Sequence, residues 1–280
     1  MFKEGAFFTM SVAFVKRQIK LAISLCYFLA QNILRFVLQL FARTPQRRLT
    51  ILCYHNIADR ERSKFARQMD VLRDTAHVVP ADYQGKLPED KISVAITFDD
   101  ALASIIDNAL PELSSRSFHS TIFVPVNWLG RQPGWAMEGI WLPQRDQMVM
   151  TKEQLAGLSS SLVAIGSHSL NHPYLSKIDG QSAREEIQGS RTALENLIDH
   201  QVRLFAFPYG DYDGSIIEHC KNAGYIVGFS DAPMQVDPVR SGFLRGRIHT
   251  DPSDGPLEFY LKINGAYAWM SDVIPSLKRS

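Results

Sequence analysis

Short apolar runs alternate with amphipathic segments along most of the chain. Four runs are rich in β-branched residues and lack a helical period: LTILCY from 49, ISVAITF from 92, STIFV from 120 and LVAIG from 162. Runs of this kind are typical of strands that are buried on both faces. Helices are predicted between them, at 63–79, 105–113, 182–197 and 215–223. The alternation predicts an α/β fold with a parallel sheet.

Residues 10–43 do not fit this alternation. Leu21–Leu40 is largely apolar, follows three basic residues and contains Arg35. A central arginine costs about 2.5 to 3.5 kcal/mol in a spanning helix, whereas a helix lying in the membrane interface avoids that cost. A soluble helix that caps the folded domain is the alternative. The late start of the apolar stretch and the lack of a small-residue cleavage site disfavour a secretory signal.

Composition narrows the class of protein. The 280 residues are 45% apolar, which is enough for one sizeable core, and the net charge of +1 disfavours nucleic acid as a partner. The three cysteines, Cys26, Cys53 and Cys220, are odd in number and widely spaced, so they indicate no disulfide framework. We expect one folded domain in addition to the N-terminal segment.

Two adjacent carboxylates, Asp99 and Asp100, follow the run ISVAITF. Like charges at the end of a buried strand are unfavourable unless a cation neutralises them, so a metal ion is one explanation. Solvated aspartates in a surface turn are the other explanation. Metal-ligating residues elsewhere in the chain would favour the first.

His168 and His172 lie just past another apolar run, in GSHSLNHPYL. Their spacing lets both imidazoles face one side, and Pro173 ends any helix there. Taken alone, such a pair is also common on surfaces and in cores. Together with one carboxylate, the two nitrogens would form a metal-binding set that leaves positions open for water and substrate.

A further apolar run, LFAF from Leu204, leads into Pro208, Tyr209 and Gly210. These residues predict a turn whose backbone amides could face a site. Three predicted strands that each end in polar or turn residues indicate a barrel with its site at the carboxyl ends of the strands.

The motifs TFDD, HSLNH and FPYG, in this order, resemble the first three motifs of the polysaccharide deacetylase family, also called carbohydrate esterase family four. The resemblance covers about residues 48–270. It implies a distorted (β/α) barrel with about seven strands and metal-dependent removal of an acyl group from an amino sugar. We therefore expect a membrane-proximal helix and linker in residues 1–47 and the catalytic barrel in 48–280.

The resemblance also implies roles for individual residues. Asp99 would be the general base, and Asp100, His168 and His172 would bind the metal. The amide of Tyr209 would belong to the oxyanion site. Two histidines and one carboxylate suit several divalent ions, among which zinc is favoured by affinity and availability.

The chain departs from the family's commonest pattern near its catalytic aspartate. Ala206 stands where an arginine usually steadies that aspartate, and Arg245 or Arg247 near the last predicted strand is a candidate substitute. His249 is the candidate general acid, although the surrounding RIHTD differs from the usual leucine-flanked form.

Residues at the predicted strand ends and in one loop are candidates for the substrate side of the site. We expect substrate contacts from His55, Pro208, Tyr209 and Arg247. Three tryptophans in or beside the loop at 130–147 would either stack on sugar faces or attach the loop to the barrel: Trp128, Trp135 and Trp141.

The function that these expectations support is metal-dependent hydrolysis of N-acetyl groups on an amino-sugar polysaccharide or glycolipid precursor. The first alternative is an enzyme that acts on a lipid-linked sugar, which would be a deformylase, a deacylase of another kind or an O-acyl esterase. A catalytically silent carbohydrate-binding barrel is the other. The expected partners are a carbohydrate and a membrane surface contacted through residues 10–43, and we expect the protein at the inner membrane or its surface.

Overall fold

The chain forms a curled parallel sheet that is surrounded by helices. The computed structural model describes residues 3–41, 47–135, 147–158 and 161–273. In these residues the sheet has nine strands: β1 (Leu49–Tyr54), β2 (Ala76–Val78), β3 (Ile92–Phe98), β4 (Ser120–Val124), β5 (Val163–Ser167), β6 (Leu204–Ala206), β7 (Val227–Phe229), β8 (Leu244–Arg245) and β9 (Ile248–His249).

The helices follow the strands in the alternation that the sequence predicts, but the helix expected at 63–79 ends at Thr75, where β2 begins, and the one expected at 105–113 is divided in two. Their bounds are α1 (Lys3–Leu40), α2 (Arg62–Thr75), α3 (Ser104–Asn108), α4 (Leu110–Ser114), α5 (Lys152–Ala156), α6 (Gly180–Ile198), α7 (Gly214–Asn222), α8 (Pro256–Ile263) and α9 (Trp269–Val273). Local signals explain two of the ends. Thr151 forms a capping box with Gln154 at the start of α5, and Gly224 adopts a positive φ of 90° just after α7.

The sheet curls until one short segment of chain supplies both of its edges. The strand order is β8-β7-β6-β5-β4-β3-β1-β9, and β2 pairs with β3 beside this path. Strands β8 and β9 lie at opposite ends of this order, yet only Gly246 and Arg247 separate them in the sequence. We call these two residues the seam. The predicted deacetylase-type (β/α) barrel is confirmed, but it has nine strands in the described residues where about seven were expected, partly because the seam divides the strand expected at 243–249.

The strands are buried on both faces, which explains their continuous apolar sequences. Leu49, Ile51, Ala95, Phe123 and Phe229 pack together inside the curled sheet. The alternate residues of the same strands pack against the surrounding helices in a larger cluster. Burial on both faces is expected for a parallel sheet that is covered by helices.

Gly246 is required at the seam because its surroundings leave no room for a side chain. A Cβ atom at this position would overlap the carbonyl oxygen of Ala232 and would lie 2.9 Å from Cβ of Met234. The chain can therefore pass between the two edges of the sheet only with glycine here.

Replacement of Gly246 by alanine is expected to destabilise the barrel by about 1 to 3 kcal/mol, because the added methyl group overpacks the seam. Thermal unfolding of Gly246→Ala should show a melting temperature several degrees below that of the unchanged protein. Gly242→Ala is a matched control, since a Cβ atom there would meet nothing within 4 Å. Equal melting temperatures for the two variants would contradict this account of the seam.

Candidate metal and catalytic site

The two aspartates lie in a sharp turn at the carboxyl end of β3. Asp99 and Asp100 are 2% and 3% exposed, so neither is a solvated surface residue. The amide of Asp99 donates to the carbonyl of Tyr54 at 2.9 Å, which continues the pairing with β1. Asp100 and Ala101 then adopt left-handed φ values of 66° and 46°. This conformation is unfavourable for alanine, and it directs two successive carboxylates towards one site.

The two histidines belong to a tight loop after β5. The amide of His168 donates to the carbonyl of Val124 at 2.9 Å, and the amide of His172 donates to the hydroxyl of Ser169 at 3.0 Å. Ser169 and His172 have φ values of 64° and 61°. The loop therefore reverses the chain within four residues, and it brings both imidazoles to the same side.

Glu186 of helix α6 holds the middle of this loop in place. Its Oε2 accepts hydrogen bonds from the amides of Leu170 at 2.9 Å and Asn171 at 2.8 Å. Its Oε1 accepts one from Nδ2 of Asn171 at 2.6 Å. A single carboxylate thus satisfies the backbone between the two histidines, and it fixes their separation.

Asp100, His168 and His172 form a candidate metal site. Nε2 of His168 and Nε2 of His172 lie 3.8 and 3.5 Å from Oδ1 of Asp100. Two ligands of a tetrahedral zinc ion at about 2.0 to 2.1 Å from the metal lie roughly 3.3 Å apart, so the observed spacing suits one small divalent ion.

The surroundings of these three side chains also fit a cation. Oδ1 of Asp100 is buried and has no hydrogen-bond partner in the described part of the chain. A buried carboxylate oxygen without a partner is unfavourable, and a metal ion would remove that cost. Nδ1 of His168 lies 2.8 Å from the carbonyl oxygen of Ala206, which leaves Nε2 as its ligand atom. Burial and the nearby His168 lower the pKa of His172, which favours the neutral, metal-binding form.

Asp99 forms a buried ion pair with Arg247 across the interior of the barrel. Nη1 of Arg247 donates to Oδ1 of Asp99 at 2.6 Å, and Nη2 donates to Oδ2 at 2.7 Å. Nη2 also donates to Oδ1 of Asp231 at 2.9 Å. Of the two arginines considered for this role, Arg247 therefore contacts Asp99, whereas Nη1 of Arg245 donates to the carbonyl of Ala81.

This ion pair determines the charge of Asp99. Burial opposes ionisation most strongly, but the charge and hydrogen bonds of Arg247, together with the charges of His168 and His55, outweigh it and hold the pKa of Asp99 well below its usual range. Arg247 itself has no exposed surface. We expected Arg247 to contact the substrate. Its burial behind Asp99 leaves it in contact with that carboxylate instead.

A second group of possible ligands, Cys53, His55 and Asp99, does not fit a metal ion. Their ligand atoms lie within 4.8 Å of one another. Both oxygens of Asp99 already accept from Arg247, so a cation would compete with a buried guanidinium. Burial also raises the pKa of the Cys53 thiol, which disfavours the thiolate that a metal requires.

The other predicted residues surround the candidate metal site at the same edge of the sheet. Tyr209, with a φ of 58°, lies in the turn after β6, and its ring meets the ring of His172 edge-on at 4.6 Å. Pro208 is buried beside it. His55 follows β1, and its ring centroid lies 5.5 Å from that of His249. His249 is exposed, although crowding by surrounding protein atoms and the charge of His55 lower its pKa.

Two of the three tryptophans attach their loop to the barrel. Trp135 stacks on the ring of His172 with centroids 4.5 Å apart, and Trp128 meets Trp135 edge-on at 5.5 Å. Both pack against the main core cluster. Trp141 lies outside the described residues. The ring of His172 is therefore held between Trp135 and Tyr209.

Comparison with known proteins places this arrangement in a family. The sequence profile described as polysaccharide deacetylase matches residues 86–228, which is about half of the chain. The chain belongs to the polysaccharide deacetylase family. YxkH of Bacillus subtilis (strain 168), provisionally named a polysaccharide deacetylase, is 24% identical over 217 residues, which cover 73% of this chain and 72% of YxkH.

Solved structures with the same fold agree with the family assignment. IcaB from Ammonifex degensii has a TM-score of 0.65 and 24% identity, and the match covers 79% of this chain and 98% of IcaB. The Streptococcus pyogenes deacetylase PplD, solved with acetate, has a TM-score of 0.65 and 18% identity over 78% of this chain and 99% of PplD. A de-N-acetylase from Aggregatibacter actinomycetemcomitans has a TM-score of 0.63 and 18% identity over 77% and 99%. At these identities the likeness shows the fold.

The match to the deacetylase family does not span the whole candidate site. It includes both aspartates, both histidines and the turn after β6, whereas His55, Asp231, Arg247 and His249 lie outside residues 86–228. Sequence reasoning missed Asp231 and Glu186, which the structure places against Arg247 and the histidine loop. Asp231 comes soon after β7, so a search for polar residues at every strand end would have found it.

The metal site of this deacetylase-family protein is testable without a substrate. Purified His168→Ala and His172→Ala proteins are expected to lose most of the bound metal, because each removes one of three ligands. Elemental analysis of the purified proteins measures the loss. His249→Ala serves as the control, since it removes a nearby imidazole that is not among the three candidate ligands, and its metal content should stay near one ion per chain. Full metal in both ligand variants would contradict the assignment.

Proposed function

We propose that the protein is a metal-dependent hydrolase that removes N-acetyl groups from an amino-sugar polysaccharide or glycolipid precursor. The observation that supports it best is the pairing of an ionised, buried Asp99 with a neighbouring set of Asp100, His168 and His172. A base beside a metal-binding set is one arrangement that hydrolyses amides. The family of the chain fits the same chemistry.

In the proposed reaction, Asp99 accepts a proton from the attacking water while the water oxygen bonds to the acyl carbon. A divalent ion at this site, zinc being the favoured candidate, would polarise the carbonyl and lower the pKa of a water molecule, which allows so weak a base to act. The amide of Tyr209, in the turn that Pro208 begins, would donate a hydrogen bond to the developing oxyanion. Acetate and a free amine are the products.

His249 is proposed to protonate the departing amine as the carbon–nitrogen bond breaks. Its lowered pKa means that the ring is neutral in the resting protein at pH 7. The proton must therefore reach it during the reaction, from the attacking water by way of Asp99 or from solvent. His55, beside His249, remains a proposed substrate contact.

Arg247 is proposed as a positioning residue for Asp99 in place of a substrate contact. Its guanidinium is fully buried and binds both carboxylate oxygens, so it keeps the base ionised and fixes its direction. This arrangement would compensate for Ala206, where the family usually has an arginine.

Arg247→Lys is expected to lower kcat by about tenfold to a hundredfold with little change in KM, because a lysine cannot make the two parallel hydrogen bonds. Steady-state kinetics on a soluble substrate measures both constants. The loss should be much smaller when Asp99 is already Asn, because the two residues act as a unit. Equal losses in the two backgrounds would show that Arg247 acts independently of Asp99.

Acetate release from N-acetylglucosamine oligomers tests the proposed reaction directly. The unchanged protein should release acetate, treatment with a chelator should abolish release, and added zinc should restore it. Asp99→Asn should retain its metal and lose at least about a hundredfold in rate, as expected for a general base. An Asp99→Asn protein with full activity would refute the assignment of the base.

A lipid-linked sugar is the second candidate substrate, and the exposed apolar face of α1 favours it. Metal binding without acetate release from free oligomers, together with release of formate, acetate or another acyl group from a lipid-linked sugar, would establish it. Bound metal and saccharide binding without release of any acyl group would instead support a carbohydrate-binding barrel.

We also propose that the protein associates with a membrane through residues 10–43. One helix segment among the described residues, the 27-residue stretch Phe14–Leu40, is long and apolar enough to cross a membrane, and its most apolar 18 residues have a mean hydropathy of 1.7. The full chain should sediment with membranes at low salt, whereas a chain that starts at residue 48 should remain in the supernatant. A full-length protein found entirely in the supernatant would contradict the proposal.

A further inference from the structure

Helix α1 is docked along the outside of the barrel. Nε of Arg17 donates to Oε2 of Glu258 at 2.8 Å, and Nε1 of Trp269 donates to the hydroxyl of Ser24 at 2.9 Å. Ser24 is fully buried. Three further side chains of the helix pack on a small buried cluster formed by β9, α8 and the segment after α8: Leu21, Leu25 and Phe28.

The face of α1 that meets the barrel is more polar than the face that points away from it. The inner positions recur at helical spacing and are buried or half-buried: Arg17, Leu21, Ser24, Leu25, Tyr27, Phe28, Gln31, Arg35 and Leu38. The large apolar side chains of the outer face are 40% to 68% exposed: Phe14, Val15, Ile19, Ile23, Leu29, Ile33, Leu34, Phe36, Val37 and Leu40. Five exposed polar residues lie towards its flanks: Lys16, Gln18, Lys20, Asn32 and Gln39. A helix that only capped the barrel would have the opposite arrangement, with its apolar side turned inward.

The helix runs beside the barrel from the catalytic edge to the opposite edge. Nη2 of Arg17 donates to the carbonyl of Ser253, which follows β9 at the edge that carries the candidate site. Arg35 lines a cavity of about 560 Å³ together with Arg48 and Ser93, at the amino ends of β1 and β3. The distance along the helix from Arg17 to Arg35 is about 27 Å. The hydrocarbon core of a bilayer is similar in thickness, about 30 Å.

This docked position is incompatible with a helix that spans the bilayer. A spanning α1 would place α8 beside it in the hydrocarbon, together with the charged side chains of Glu258, Lys262 and Asp254. Charges within hydrocarbon are strongly unfavourable. Only the outer face of α1 can therefore enter lipid while the observed contacts persist.

We propose that α1 lies in the plane of one membrane leaflet, with its outer face immersed in lipid and its inner face docked on the barrel. The inference rests on the proposed association with a membrane and specifies its geometry. Because α1 runs along the barrel axis, that axis lies parallel to the membrane. The catalytic edge then opens along the membrane surface. A lipid-linked sugar, or a polymer that emerges nearby, would reach this edge from the side.

The charges at the two ends of the outer face favour a lipid surface over a second copy of the chain. Lys16 and Lys20 are exposed near one end of this face, and Arg47 and Arg48, which line the cavity beside Arg35, are exposed beyond the other end of α1. Basic residues that flank an apolar face bind anionic lipid headgroups. Two copies that met through this face would bring these like charges together instead.

Cys26 allows a direct test, because it is exposed on the outer face while Cys53 and Cys220 are buried. A fluorescent label on Cys26 reports immersion in vesicles of anionic and zwitterionic phospholipids. Lipids that carry quenchers at defined acyl positions then report its depth. In a Cys26→Ser background, Val15→Cys and Val37→Cys carry the same label near the two ends of the outer face. Asn196→Cys, exposed on α6, is the control that should stay in water.

The in-plane arrangement predicts that all three labels on α1 lie at one shallow depth, about 5 to 10 Å below the headgroups. A label that is deep at position 26 and shallow at 15 and 37 would identify a spanning helix and overturn the inference, while leaving membrane association intact. Labels that stay in water would refute both. Labels shielded within a dimer, seen by light scattering without vesicles, would assign the face to a second copy.

Matched substitutions give a second readout that does not depend on labels. Ile19→Glu and Ile33→Glu lie on the outer face, and each should weaken vesicle binding by roughly tenfold. Both should keep the melting temperature and the activity on soluble oligomers. Gln18→Glu adds the same charge at an exposed polar position and should weaken binding much less. Equal loss for all three would show that charge alone matters, and the proposed apolar immersion would then be wrong.

Discussion

The buried ion pair between Asp99 and Arg247 is the constraint on which the candidate site depends. Removing two charges from water costs several kcal/mol for each ion, and only good geometry with further hydrogen bonds offsets it. Here the pair is bidentate, and Asp231 accepts a third hydrogen bond. Since Arg247 belongs to the seam, its guanidinium reaches Asp99 only when β8 and β9 have taken their places. Closure of the barrel and placement of the Asp99 carboxylate are therefore one structural event.

Sequence patterns predicted the strands and the strand ends that carry the site, because these depend on local apolar runs and turn residues. They did not determine which arginine reaches Asp99. In a regular strand, Arg245 and Arg247 would face the same side, since side chains alternate with a period of two. The two arginines nevertheless reach different partners, one a backbone carbonyl and the other the aspartate. These partners, Ala81 and Asp99, lie far away in the sequence, so no local pattern records the choice.

Other contributors to the site were beyond prediction for the same reason. Glu186 reads as an ordinary charged residue of an amphipathic helix, yet it accepts the amides between the two histidines. The sequence left open whether Trp135 stacks on a sugar or attaches its loop to the barrel, and its contact with His172 depends on how that loop folds back. The apolar character of α1 was evident from composition. Which of its faces turns towards the barrel depends on contacts of Arg17 and Ser24 with helices near the other end of the chain.

The pairing of β1 with β9 also has a consequence for synthesis of the protein. Leu52 of β1 pairs with Ile248 of β9. The outer edge of β1 therefore stays uncovered until almost the whole barrel has left the ribosome. Contacts so distant in sequence form late and slowly. Helix α1, in contrast, emerges first and can form by itself. In a nascent chain, α1 would thus form while the barrel is still open, and Asp99 would gain its partner Arg247 only after most of the barrel has been made.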